Sequence, residues 1–81
     1  MLEDTGYIYK LDENENKNIK KELVSICIDL VERGYDPIKQ IAEYVISGDP
    51  GYISSYKECR SRIQKFDRNI LVELMLHSYL K

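Results

Sequence analysis

Residues 34–52 read Gly34-Tyr35-Asp36-Pro37-Ile38-Lys39-Gln40-Ile41-Ala42-Glu43-Tyr44-Val45-Ile46-Ser47-Gly48-Asp49-Pro50-Gly51-Tyr52. The stretch uses one device twice: a glycine that stops a helix, then an Asp-Pro pair that opens the next. An aspartate at the N-cap accepts from amides that lack an intrahelical partner, and proline suits the first helical position because it has no N–H to satisfy. Between the two copies, Ile38, Ile41, Ala42, Val45 and Ile46 recur at helical spacing, which predicts a helix stopped at Gly48. A second Asp-Pro directly after that stop makes helix-to-helix punctuation the grammar of the chain.

The same reading extends in both directions. From Asn18, the residues Ile19, Leu23, Ile26, Cys27, Leu30 and Val31 form one apolar stripe, so a helix of about four turns runs to the stop at Gly34. After Gly51-Tyr52-Ile53, a short turn, Ser55-Tyr56-Lys57-Glu58 matches the capping box and predicts a helix with Tyr56, Cys59, Ile63 and Phe66 inward. Asp67 caps a last helix carrying Ile70, Leu71, Leu74, Met75 and Leu80, widened by Val72 and Leu76. A helix apolar around so much of its circumference needs cover on two sides. No segment alternates as a strand would. The expected fold is all-α, a compact bundle of four longer helices and one short helical turn. Residues 1–16 read as a flexible tail and 17–81 as one helical domain.

Size sets the next constraint. The chain has 81 residues, 43% of them apolar and 32% charged, which suits one small folded domain. No apolar run approaches the ~20 residues of a membrane span, and the acidic start Met1-Leu2-Glu3-Asp4 is unlike a signal peptide, so a soluble cytoplasmic protein is expected. A core this small rarely supplies more than ~3–5 kcal/mol, and two cysteines make no disulfide framework. Self-association is the expected support, with the apolar face of residues 70–80 as the candidate surface.

Charge divides unevenly. Residues 1–33 carry −3 and residues 34–81 carry +1, for a total of −2, while Lys57 to Arg68 hold a local +3. A near-neutral chain is a poor binder of nucleic acid in general, which needs many cations on one face. A small nucleic-acid or transcription-associated module using residues 57–68 is the alternative reading. Against it, the turn after Asp49 is short and uncharged where a recognition helix would begin.

Enzyme chemistry finds little to stand on. His77 is the only histidine, Cys27 and Cys59 occupy inward helical positions, and no phosphate loop, dinucleotide fingerprint or metal-ligand spacing is present. No catalytic residue, metal site or cofactor is expected. Thr5, the only threonine, lies beside Glu3 and Asp4, where a kinase could reach a hydroxyl.

The block from Gly34-Tyr35-Asp36-Pro37 through Gln40 and Tyr44 to Ser47-Gly48-Asp49-Pro50-Gly51-Tyr52 resembles the signature of the IreB/ReoM family of small Gram-positive regulators. The likeness continues through Arg60, Ile63, Arg68, Glu73 and Tyr79-Leu80-Lys81. The resemblance implies a homodimeric, non-enzymatic cytoplasmic regulator of peptidoglycan synthesis and cell-wall antibiotic tolerance. Its partners would be a PASTA-type Ser/Thr kinase, the cognate phosphatase and a Clp protease pathway that turns over a precursor-synthesis enzyme. It implies Thr5 as phosphoacceptor and Arg60 and Arg68 as regulatory arginines. Departures from the family pattern are Glu43 for glycine, Cys59 for alanine, and Ser55 and Gln64 at positions that are basic elsewhere.

Overall fold

The structure, a computed structural model, describes residues 13–81. Four α-helices follow one another: α1 Glu13–Glu32, α2 Pro37–Ser47, α3 Cys59–Ile63 and α4 Arg68–Tyr79. Short 3-10 turns at Pro50–Tyr52 and Tyr56–Glu58 lie between α2 and α3. Among the described residues there is no strand, so the all-α expectation holds.

The punctuation works as the sequence implies. Asp36 Oδ1 accepts from the Lys39 amide at 3.1 Å, Asp49 Oδ1 from Gly51 at 2.8 Å, and Asp67 Oδ1 from Asn69 at 2.9 Å. Gly34 and Gly48 both adopt positive φ, +87° and +80°. At Gly34 the amide reaches Val31 O at 2.9 Å while the Tyr35 amide reaches Leu30 O at 2.9 Å, the paired bonds of a Schellman stop.

Three expectations need correction. The first helix begins at Glu13 rather than near Asn18, so residues 13–16, read as tail, form its first turn. That turn is polar and carries Glu13 and Glu15, acids favoured at a helix N-terminus, and therefore shows no apolar period. The expected long third helix is only five residues, and Ser55 makes no side-chain cap bond. Lys57 and Glu58 instead take left-handed φ of 49° and 63°, which kinks the chain ahead of α3. The kink aims Cys59 and Ile63 into the core, both at 0% exposure, and Ser54 Oγ caps Tyr56 in place of the box. Finally, some stripe residues face outward: Val31 is 59% exposed, Ile38 75% and Ile46 84%. The inner face of α2 is rotated toward Tyr44, which is buried together with Ile41.

The core comprises Ile26 and Leu30 of α1, Ile41 and Tyr44 of α2, Ile53 of the loop, Cys59 and Ile63 of α3, and Leu71 of α4. Ile19, Leu23, Cys27, Val45 and Phe66 pack around it. Eight buried side chains make a small core for 69 described residues, and polar clamps add to it. No helix among the described residues is long and apolar enough to cross a membrane.

Candidate functional site

Gln40, Tyr44 and the marked residues from Ser47 to Tyr52 converge on one loop, Ser47 to Ser54, between α2 and the kink. Its backbone is tied at every step. Ser47 Oγ donates to Glu43 O at 2.7 Å and accepts from the Asp49 amide at 3.0 Å. The Gly48 amide donates to Tyr44 O at 2.7 Å, and Gln40 Oε1 accepts from the Ser54 amide at 3.0 Å. Pro37 and Pro50 open their helical turns as first residues, and Tyr35 and Tyr52 stay partly exposed at 41% and 46%. Gln40, Tyr44, Ser47, Gly48, Asp49, Pro50 and Tyr52 thus build and brace this loop, whereas Gly34, Tyr35 and Pro37 form the turn between α1 and α2.

Arg60 and Arg68 grip the two ends of this segment from two helices, Arg60 on the loop itself and Arg68 on the last turn of α2. Arg60 Nε donates to Ile53 O at 2.8 Å, and Arg68 Nη1 to Val45 O at 2.9 Å. The Arg68 guanidinium lies directly over Gly48, where an added Cβ would sit 2.9 Å from its Cζ. Glycine at 48 therefore serves two ends, a left-handed cap and a seat for Arg68. Neither arginine has a carboxylate partner among the described residues, so each keeps its charge and further N–H donors for something else.

Arg62, which helical spacing alone sets apart from the other two, has the opposite fate. Its guanidinium donates to Glu22 Oε2 and Asp29 Oδ2, both at 2.7 Å, to Ser25 Oγ at 2.9 Å and to Lys57 O at 3.1 Å. Hydrogen bonds to Glu22 and then Asp29 hold it charged at every accessible pH. Lys57 is drawn to Glu32 at 2.9 Å, a bond that raises its own pKa and lowers that of Glu32. Tyr56 donates to the same Glu32 and receives the Arg33 cation over its ring at 5.3 Å. These clamps fasten α3 and the kink to α1, a role invisible to local sequence because the partners lie 24 to 40 residues apart. They also neutralise two of the five cations between Lys57 and Arg68, which removes much of the basis for a nucleic-acid reading.

Other groups are inert or incomplete. Burial raises the pKa of both thiols, and Cys59 points its sulfur at Ile26 O, 3.8 Å away, deep in the core. Glu73 lies one turn before His77 on α4, and its Oε1 is buried without a hydrogen-bond partner. A shallow groove runs along α1, lined by Lys20, Leu23, Val24, Cys27, Ile28 and Val31. Thr5 and the rest of residues 1–12 lie outside the described residues.

Helices, braced loop and two carboxylate-free arginines together define a small all-α protein whose marked residues present charge on a fixed backbone. The model of the IreB regulatory phosphoprotein family matches residues 4–81, Thr5 included, and the chain belongs to that family. It is thus a regulatory phosphoprotein by family.

Proposed function

We propose that this protein is a non-enzymatic, cytoplasmic regulator of peptidoglycan synthesis and cell-wall antibiotic tolerance, switched by phosphorylation of Thr5. The observation that carries the reading is a phosphoprotein family match that takes in Thr5, the only threonine of the chain. A PASTA-type Ser/Thr kinase adds the phosphate and its cognate phosphatase removes it. The protein works as a homodimer and controls Clp-dependent turnover of a precursor-synthesis enzyme. Phosphate adds about −1.5 to −2 charge and three strong acceptors, a change that two guanidiniums without carboxylate partners are suited to read. Arg60 and Arg68 are those guanidiniums, each fixed by one backbone bond and open at its remaining donors.

The test is phosphorylation by the host kinase, with the modified residue located by mass spectrometry. One phosphate on Thr5, lost in Thr5→Ala, is expected. Modification only at serine, or none while a related family member is modified, overturns the switch. Pull-downs with wild-type, Thr5→Glu and Arg60→Ala/Arg68→Ala proteins then read the downstream partner.

A further inference from the structure

We infer that the kink at Lys57-Glu58 is a two-state switch whose second state is a straight helix running from Tyr56 through Ile63; its effect on Arg60 rests on the phosphate reading proposed above. Two consecutive residues hold positive φ here, Lys57 at 49° and Glu58 at 63°, and neither is glycine. Left-handed backbone is disfavoured for such residues and persists only where the surroundings impose it. At this kink the imposing groups lie on α1. Lys57 Nζ reaches Glu32 at 2.9 Å and Asp29 at 3.9 Å, and Tyr56 donates to Glu32 at 3.2 Å. Arg62, itself clamped to α1, donates to Lys57 O at 3.1 Å.

The same residues carry the signal for another local structure. Ser55 and Glu58 have the spacing of a capping box, yet Ser55 makes no side-chain cap bond and Glu58 Oε1 accepts from Ser61 Oγ at 3.1 Å. In the straight helix Ser55 Oγ accepts from the Glu58 amide, and the Glu58 carboxylate accepts from the Ser55 amide. Backbone strain disappears there, and the bonds to Glu32 are given up. Local signal and the α1 clamp thus pull in opposite directions over four residues, a conflict that leaves two arrangements close in energy.

Arg60 feels the difference. In the kinked state its amide donates to Ser54 O at 3.1 Å and its Nε to Ile53 O at 2.8 Å. Straightening turns that amide to Tyr56 O, four residues back, so the chain at 53–54 moves away and Nε is released. A phosphate bound side-on takes Nε together with one Nη. Only the straight state offers that pair, so an anion at Arg60 shifts the balance toward it.

NMR of the full chain tests the switch, with cooperative thermal melts showing that each variant is folded. In wild type, Lys57 and Glu58 should give the strong intraresidue Hα–amide NOE of a positive φ. Lys57→Ala removes the clamp and keeps the strain, so these NOEs should vanish and helicity by circular dichroism should rise by about one turn, roughly four residues. The Arg60 Nε proton should then exchange about tenfold faster, the effect of losing one hydrogen bond. Lys57→Gly removes the clamp and the strain together, and should stay kinked. Glu32→Gln weakens the same clamp without touching the kink, and decides the matter where Lys57→Ala does not fold. Left-handed NOEs retained in both Lys57→Ala and Glu32→Gln overturn the switch, and so does a Lys57→Gly chain that straightens. Absence of phosphate on Thr5 overturns the function proposed above and leaves these NMR results untouched.

Discussion

Replacing Arg62 by methionine keeps most of the side-chain stem and deletes the guanidinium, and it tests whether the clamp between α1 and α3 holds this fold. The Arg62 side chain is only 18% exposed and holds the side chains of Glu22 and Asp29, which are 34% and 17% exposed. Exposed ion pairs contribute about 0–1 kcal/mol, and breaking a fully buried one costs about 3–5 kcal/mol. The Arg62 cluster lies between these limits, screened on the Glu22 side and sheltered on the Asp29 side. Discounted for that partial exposure, Arg62→Met should cost about 2–3 kcal/mol. A domain of this size has only ~3–5 kcal/mol to lose, so the variant should sit close to its unfolding midpoint in buffer. With a urea slope of about 1 kcal/mol per molar, the midpoint should fall by about 2–3 M. The assay is urea unfolding followed by circular dichroism at one fixed protein concentration, since self-association also shifts apparent stability. Adding Asp29→Asn removes one stranded carboxylate, so the double variant should lose less than the two single losses together. A loss under about 0.5 kcal/mol, or strict additivity with Asp29→Asn, would refute the clamp.

Other expectations follow from single sites. Gly48→Ala should cost more than Gly34→Ala, by about 1 kcal/mol in thermal or urea melts. Both glycines hold positive φ, but only at Gly48 does a methyl meet Arg68, while at Gly34 nothing lies within 4 Å. Equal losses would mean that Arg68 simply moves aside. The Lys57 hydrogen bond holds the Glu32 carboxyl below the usual carboxylate range. Its contribution is thus fully present above the unfolded pKa and disappears as pH falls through the lowered folded value. NMR titration of Glu32 should move back toward the ordinary range in Lys57→Met, and no movement would sink the pairing. An aromatic disulfide reagent should modify Cys27 well before Cys59, with both slow, because burial keeps each thiol protonated. Equal rates would contradict the buried position of Cys59.

Much of the fold is legible in local sequence because its signals are local. An Asp-Pro pair or a stop glycine acts within four residues, so all three aspartate caps and both glycine stops stand where the residues put them. The capping box at Ser55 failed for the opposite reason. Lys57 answers to Glu32 on α1, and Gln40 of α2 takes the Ser54 amide, so distant partners override the local pattern there. The outward turn of Val31, Ile38 and Ile46 has the same origin, since an amphipathic stripe shows that a face exists but not where the neighbouring helix centres it. In the candidate site, likeness to a family marks Arg60 and Arg68, yet the grip of Arg60 on Ile53 O and of Arg68 on Val45 O beside Gly48 comes from packing.

Sequence alone determined an all-α chain, its three aspartate caps and two glycine stops, and the family whose residues it carries. Tertiary structure decided which of its cations are consumed and which remain available. Arg62 and Lys57 are drawn to carboxylates brought in from α1, whereas Arg60 and Arg68, among the described residues, meet only carbonyl oxygens. A charge is written in one residue, but its partner is set by which helices touch, and that depends on the whole chain at once.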